Sequence, residues 1–157
     1  MILLRGVETT DLEALFAIDR ECFRPGIAYS RPELRYYLGH PRSLSVVAVD
    51  DMADAIVGFA IAESYLQKGL PIGHVITIDV RPWSRRQGIG RMLMDAILAR
   101  LSDTGITLVT LEVAADNTAG QAFYQHFGFC KTGRIPGYYK GKLDALIMEK
   151  KLDPAAR

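Results

Sequence analysis

A turn rich in glycine and arginine is the stretch of this sequence best suited to hold a phosphate. Arg85-Arg86-Gln87-Gly88-Ile89-Gly90-Arg91 lies between a β-branched run, His74–Val80, and the apolar stripe of a helix predicted over Gly88–Leu101. A helix start exposes unpaired N–H groups with partial positive charge, and glycines allow close approach of a ligand. The turn is not a Walker loop, because no Gly-Lys-Ser/Thr follows. It predicts a pyrophosphate site, although a turn with solvated arginines would explain the same residues.

Two side chains further along the chain are candidates for chemistry. Glu112 lies in an otherwise apolar strand predicted over Thr107–Val113, and a buried carboxylate is costly unless it is paired or used. Tyr124 lies on a short helix predicted over Thr118–Phe127, beside two phenylalanines. The alternatives are a structural carboxylate bonded to the backbone and a plain core aromatic.

The remaining segments supply the strands and helices that position these residues. Capping-box patterns at Thr10–Glu13 and Ser30–Glu33 predict the starts of two helices. Strand-like runs cover Ile2–Leu4, Leu44–Val49, Ala55–Ala62, His74–Val80, Thr107–Val113, Cys130–Pro136 and Ala145–Lys150. The order is one strand, two helices, three strands, a helix, a strand, a helix and two strands. This order predicts an α+β fold with a mixed sheet that helices cover on both faces.

Length and composition fit one ordinary globular domain. The chain has 157 residues, 49% hydrophobic and 24% charged, so we expect a single domain over 1–152 and a loose tail over 153–157. A net charge of +1 gives no global field for nucleic acid or membrane, and no apolar run reaches the roughly 18 residues of a spanning helix. We expect a cytoplasmic protein without a signal peptide.

Cysteine and histidine spacing gives no sign of a disulfide framework or a metal site. Cys22 and Cys130 are far apart and form no pair motif, so we expect packing residues. The three histidines have no ligand-like spacing. His74 lies in a central strand, where a structural role is expected ahead of contact with a substrate.

Three ordered blocks of the sequence resemble the GNAT superfamily of N-acetyltransferases. Arg85–Gly90 is similar to the Gln/Arg-x-x-Gly-x-Gly/Ala signature of that family, and Leu111–Phe129 resembles its block with an LEV strand and a final Gly-Phe. Tyr138-Tyr139 followed by Asp144–Met148 resembles the C-terminal hairpin of the family. Within the superfamily the likeness is greatest to RimI-type protein N-terminal acetyltransferases. The resemblance implies the GNAT fold, with a mostly antiparallel sheet of about seven strands and about four helices.

The resemblance also implies a role for each matching residue. Acetyl-CoA would be the cosubstrate, without a metal. Backbone groups of Ile78, Asp79 and Val80 would bond the pantetheine arm. The pyrophosphate would be held by Arg86, Gln87, Gly88, Ile89, Gly90 and Arg91, and Asn117 would contact CoA. Glu112 would be the general base and Tyr124 the general acid, since a phenol with a pKa of about 10 can return a proton to a thiolate. Tyr138 and Tyr139 would line the acceptor groove.

The acceptor itself has several candidates. A protein N-terminal α-amine is the first, and a small amine such as a polyamine, an amino acid or an aminoglycoside is the second. The segment Arg24–Tyr29 replaces a short Pro-Trp segment of RimI-type sequences, which bears on a ribosomal substrate more than on the reaction. A noncatalytic CoA-binding module and a nucleotide-phosphate binder are further alternatives. The presence of both Glu112 and Tyr124 disfavours the module, and the lack of an acidic metal motif disfavours the nucleotide binder.

Overall fold

The structure is a computed structural model that describes residues 1–153. Seven strands form one sheet in the order β1-β2-β3-β4-β5-β7-β6. They are β1 (Ile2–Arg5), β2 (Ser43–Asp50), β3 (Ala55–Gln67), β4 (Leu70–Val80), β5 (Leu108–Ala114), β6 (Cys130–Tyr139) and β7 (Leu143–Lys151). The α-helices are α1 (Leu12–Cys22), α2 (Arg31–Gly39), α3 (Ile89–Asp103) and α4 (Thr118–His126). The predicted element order is confirmed, and residues 154–157 of the expected tail lie outside the described residues.

Helices cover both faces of the sheet. On one face, α3 packs its stripe of Ile89, Leu93, Met94, Ile97 and Leu101 against the sheet, and α4 lies beside it. On the other face, Leu15 and Ile18 of α1 and Leu34 of α2 pack on Phe59 and neighbouring strand residues. The expected α+β fold with helices on both faces is therefore confirmed.

The starts of the first two helices differ in how well the sequence predicted them. The predicted box at Ser30–Glu33 is present: the Glu33 N–H donates to Ser30 Oγ at 3.2 Å, and the Ser30 N–H donates to Glu33 Oε1 at 3.1 Å. The box predicted at Thr10–Glu13 is wrong. Asp11 instead accepts the Glu8 N–H at 2.8 Å and pairs with Arg5, so it closes a short 3-10 turn before α1.

The sheet opens between its two central strands. Neighbouring strands are antiparallel except β4 and β5, which are parallel and pair only at Gly73/Val109 and His74/Thr110. Beyond these pairs the strands separate, so the later part of β4 has a partner only in β3. A bulge places Ile76 as an extra residue opposite the step from Ile61 to Ala62. The gap between β4 and β5 is where polar side chains and backbone groups can meet a ligand.

Candidate active site

The predicted phosphate turn surrounds the start of α3. Gly88 precedes the helix with a φ of 76°, a conformation that suits glycine. A Cβ on Gly90 would lie 3.2 Å from the Phe123 ring, so the residue must stay small there. The N–H groups of the first turn of α3 lie beside a cavity of about 460 Å³. We call it the glycine-turn cavity; its lining includes Ile78, Val80, Arg85, Arg86, Gly88, Ile89, Gly90, Arg91 and Asn117.

Backbone groups of β4 face the gap at alternate residues. The Arg81 N–H donates to the Val57 carbonyl at 2.8 Å, so in an antiparallel ladder Asp79 also points its backbone bonds toward β3. Ile78 and Val80 then turn their N–H and C=O groups away from β3 and into the gap. The Val80 carbonyl there accepts from Cys22 Sγ at 3.3 Å. The hydrogen-bond ladder between β3 and β4 therefore supports the expected backbone contacts with the pantetheine arm at Ile78 and Val80, but not at Asp79.

Two of the expected cofactor residues are placed elsewhere. Gln87 does not line the glycine-turn cavity. Asp79 is buried on the α1 side of the sheet, where its carboxyl accepts from Thr77 and meets Asp19. Burial, the contact with Asp19 and the Asp19 charge raise the pKa of Asp79 well above its usual range. Its side chain is thus a link between α1 and the sheet, because strand alternation sends it to the opposite face from the cavity.

A second cavity, of about 420 Å³, adjoins the first. We call it the Glu112 cavity; its lining includes Tyr29, Tyr37, His74, Glu112, Tyr124, Tyr138 and Tyr139. Cys22, Phe23, Asn117 and Tyr124 line both cavities. The structure thus brings the expected phosphate turn, the expected acid–base pair and the tyrosine pair to one continuous space.

Glu112 is held by two side chains. Its Oε2 lies 2.7 Å from His74 Nε2, and its Oε1 accepts from the Tyr138 hydroxyl at 3.4 Å. Burial disfavours a charged His74 ring, but the hydrogen bond and charge of Glu112, with Glu63, outweigh it and raise the pKa of His74. Burial and the Glu112 charge raise the pKa of Tyr138 to about 12. The carboxylate therefore sits beside a Tyr138 hydroxyl that keeps its proton at neutral pH and a His74 ring whose pKa is raised.

Tyr124 lies where the two cavities meet. Its ring packs edge-on against Phe123 and Phe129, with centroids 5.5 and 6.0 Å apart, so the core-aromatic expectation describes its ring. Its hydroxyl has no hydrogen-bond partner among the side-chain contacts of residues 1–153. Burial raises the pKa of Tyr124 above its ordinary value, so the phenol carries its proton at neutral pH. A protonated phenol at this junction can act as a proton donor.

Asn117 and Cys22 have structural partners at the same junction. Asn117 Oδ1 caps α4 by accepting the Gly120 N–H at 2.9 Å, which leaves its NH₂ group for other contacts. Burial raises the pKa of the Cys22 thiol to about 11. A protonated thiol is a poor nucleophile, so the arrangement favours direct transfer over an acyl-cysteine intermediate.

Sequence reasoning missed three contributors to the site. Tyr29 and Tyr37 line the Glu112 cavity from the α1–α2 region, and Glu63 contacts His74 from β3. Arg85, which belongs to the predicted turn, lines the glycine-turn cavity. For His74 the expected structural role was incomplete, since its ring lines the Glu112 cavity and bonds Glu112. The polar residues Glu63 and His74, both inside apolar strands, were the signal that these strands meet at a site.

Two further features of the described chain bear on its class. Across residues 1–153, no group of three or more His, Cys, Asp or Glu side chains is arranged to hold a metal ion. In the same range, no helix combines the length and apolar character needed to cross a bilayer.

Comparison with known proteins identifies the family. The model of the acetyltransferase (GNAT) family matches residues 12–129. The chain is 30% identical to the [ribosomal protein bS18]-alanine N-acetyltransferase of Salmonella typhimurium, over 90% of this chain and 92% of that protein. It is also 30% identical to N-alpha-acetyltransferase 30 of Schizosaccharomyces pombe, over 74% of this chain and 77% of that protein.

A solved structure agrees with these relatives. The ribosomal-protein-S18-alanine N-acetyltransferase from Escherichia coli superposes with a TM-score of 0.85 at 28% identity, covering 100% of this chain and 97% of that one. The glycine-rich turn at α3, the open gap between β4 and β5 and the family match over 12–129 lead to one conclusion. The chain belongs to the GNAT acetyltransferase family and is an N-acetyltransferase that uses acetyl-CoA as its cosubstrate.

Proposed function

We propose that the acceptor is the α-amine of a protein N-terminus. The observation that carries this is the junction of the two cavities, where a carboxylate held by His74 and Tyr138 faces the same space as Tyr124. The relatives named above support it, because one is named for N-alpha-acetylation and the other for N-acetylation of an alanine of ribosomal protein bS18. The tyrosines of β6 and of the α1–α2 region supply an aromatic groove with hydroxyl groups for a peptide backbone.

In the proposed reaction the chain positions both substrates and moves protons. The turn at Arg86–Arg91 and the start of α3 hold the pyrophosphate, and the gap-facing amides of Ile78 and Val80 bind the pantetheine arm. Asn117 contacts the same ligand through its free NH₂ group. An amide near Val80 stabilises the oxyanion of the tetrahedral adduct. Glu112 is the base for the acceptor amine, and Tyr124 returns a proton to the departing thiolate.

The α-amine suits this site better than a lysine side chain. An α-amino group has a pKa of about 7.7–8.0, whereas that of lysine is about 10.4. At pH 7.4 the difference in deprotonation is worth roughly 3–4 kcal/mol at about 1.36 kcal/mol per unit. Tyr138 and Tyr139 would hold the first residues of the peptide, where burial raises the pKa of both hydroxyls to about 12 and keeps them protonated as donors.

The test is a CoA-release assay with a peptide library and a panel of small amines, followed by mass spectrometry of the products. We expect acetyl groups on peptide α-amines and little on lysine. Modification mainly at lysine, or of small amines alone, would refute the proposed acceptor and favour a small-amine acetyltransferase. A reaction without the enzyme serves as the control for uncatalysed acetylation of the same amines.

A further inference from the structure

A third cavity, of about 540 Å³, adjoins the Glu112 cavity. We call it the loop cavity, because it lies between the α1–α2 segment and the turn that joins β6 to β7. Tyr29, Tyr37, Tyr138 and Tyr139 line both spaces, so one groove runs from Glu112 past these rings and into the loop cavity. An extended peptide advances about 3.3 Å per residue, so the residues that follow its N-terminus would lie in the loop cavity.

Two positively charged side chains line the loop cavity from two different elements. Arg20 of α1 stacks on the Phe16 ring, with its guanidinium carbon 4.6 Å from the ring centroid. Lys140 of the β6–β7 turn lays its stem along Gly26, where an added Cβ would lie 3.5 Å from Lys140 Cδ. Both charged side chains are exposed, and each is held by a contact of its apolar or planar part.

Neither of these cations is neutralised within the described chain. None of the ion pairs within residues 1–153 includes Arg20 or Lys140. Arg24, on the same segment that follows α1, is different, because it pairs with Asp116 at 2.8 Å. Arg20 and Lys140 are therefore available to an anionic group of a ligand in the loop cavity.

The charge of the groove changes along its length. Glu33 is the one carboxylate among residues 1–153 on the lining of the loop cavity, and its Oε1 accepts the Ser30 N–H at 3.1 Å as part of the α2 cap. Arg20 and Lys140 thus outnumber it. Glu112 places a carboxylate at the other end of the groove, beyond the tyrosines. The groove is therefore complementary to a chain with an amine at one end and a carboxylate further along.

We infer that the acceptor carries an Asp or Glu side chain within the few residues after its N-terminus, and that Arg20 and Lys140 select it. This rests on the proposed function, because it takes the acceptor to be a peptide. A carboxylate would accept charge-assisted hydrogen bonds from both cations, whereas a Lys or Arg side chain in its place would be repelled. The contact is remote from the reacting amine, so it acts on KM and leaves kcat the same.

Peptides that differ at one position provide the test. A Glu, a Gln or a Lys is placed in turn at the second to the sixth position of one otherwise neutral peptide, and CoA release gives kcat and KM. At one or two positions we expect the Glu peptide to exceed the Gln peptide in kcat/KM by about fivefold, as an exposed ion pair can provide. The Lys peptide should be the poorest acceptor, and added salt should weaken the preference.

Arg20→Met and Lys140→Met remove one charge each while keeping an unbranched side chain against Phe16 and Gly26. Each should lower the preference for the Glu peptide over the Gln peptide, and the double variant should abolish it through a higher KM for the Glu peptide. Lys142→Met is the matched control, since Lys142 is an exposed lysine of the same turn that lies outside the three described cavities. A preference that persists in the double variant would overturn the assignment.

Glu33→Gln changes the charge in the opposite direction. Its amide oxygen can still accept the Ser30 N–H, so the α2 cap is kept while the negative charge is removed. The preference for the Glu peptide should rise by about twofold, because repulsion of the incoming carboxylate is lost. A purely structural role of these side chains would not produce effects of opposite sign. An unchanged or smaller preference would contradict the inference.

The outcomes separate this inference from the proposed acceptor. If the wild type acetylates no peptide α-amine, the proposed function fails and the acidic preference fails with it. If the wild type acetylates the Glu, Gln and Lys peptides with equal kcat/KM at every position, the α-amine acceptor stands and only the selection by Arg20 and Lys140 is refuted.

Discussion

Tyr124 lies where the two cavities meet, whereas Glu112 lines only the Glu112 cavity. Both residues look like core positions in the sequence, a tyrosine between phenylalanines and a glutamate in an apolar strand. The structure shows why each tolerates burial: the carboxylate is bonded by His74 and Tyr138, and the phenol is in its neutral form. Their chemistry is therefore compatible with the surrounding core.

At the residue scale, Tyr124→Phe should keep the fold and the affinity for acetyl-CoA, because the ring contacts with Phe123 and Phe129 remain. Its kcat should fall by about 10²–10⁴-fold, since the proton donor for the thiolate is lost. Single-turnover kinetics beside calorimetry would separate the two effects. Unchanged turnover would leave Tyr124 as a packing residue only.

Glu112→Gln tests the base by its pH dependence. The amide removes the negative charge that stabilises a protonated His74, so the pKa of His74 should fall relative to the wild type. The loss in kcat/KM should be largest at low pH, where the acceptor is mostly ammonium, and smallest at high pH. A pH-rate profile measures this. A loss that is uniform across pH would point to a purely structural carboxylate.

At the element scale, the junction between β4 and α3 carries the proposed site for acetyl-CoA. Helix α3 starts at a glycine in the left-handed region and presents its first N–H groups to the glycine-turn cavity. Its apolar stripe packs the helix on the sheet, so the core and not the loop alone holds the proposed phosphate site in place. Packing of Phe123 against Gly90 ties α4 to the same turn.

Gly88→Asp and Gly90→Asp should each raise the Kd for acetyl-CoA by about 100-fold or more, equivalent to about 2.8 kcal/mol. The first adds a side chain at a positive φ, the second adds one against Phe123, and both place a negative charge near phosphates. Gly6→Asp is the control, because a Cβ there meets nothing within 4 Å. Calorimetry with unchanged affinity in both variants would disprove the phosphate assignment.

At the scale of the whole molecule, a buried pair of carboxyl groups joins helix α1 to the sheet. Asp19 of α1 and Asp79 of β4 are in contact, and each keeps one buried oxygen without a hydrogen-bond partner. Asp19 also accepts the Tyr29 N–H at 2.6 Å, which fixes the α1–α2 connection beside the Glu112 cavity. Burial raises the pKa of both, so the pair retains a proton in the folded state.

This pair should make stability fall as pH rises. A group whose folded pKa is raised adds stability that is complete below the unfolded pKa, near 3.8, and is lost as pH rises through the folded pKa. Asp79→Asn removes that titration, so its free energy of unfolding should decline less than that of the wild type from pH 4 upward. Denaturant melts across pH would measure it, with the exposed Asp103→Asn as control. If the free energy of unfolding changed with pH in the same way for Asp79→Asn and for the wild type, the two carboxyl groups would not share a proton.

The sequence by itself determined the elements and the phosphate turn, because these depend on local periodicity, glycine positions and capping. The Ser30–Glu33 box, the α3 stripe and the order of strands and helices are all short-range properties. The capping box predicted at Thr10 failed because Asp11 pairs with Arg5, six residues earlier, and the short pattern around Thr10 does not include that partner.

Only the tertiary structure decided which side chains meet. The pairing of His74 with Thr110 places His74 near Glu112. The bulge at Ile76 and the parting of β4 from β5 then turn the backbone groups of Ile78 and Val80, but not those of Asp79, into the gap. The distances from His74 to Glu63 and to Glu112 depend on the register of β3, β4 and β5, and His74 and Glu112 are 38 residues apart in the chain. No local pattern encodes such a register, because it follows from how the two cores pack on opposite faces of the sheet.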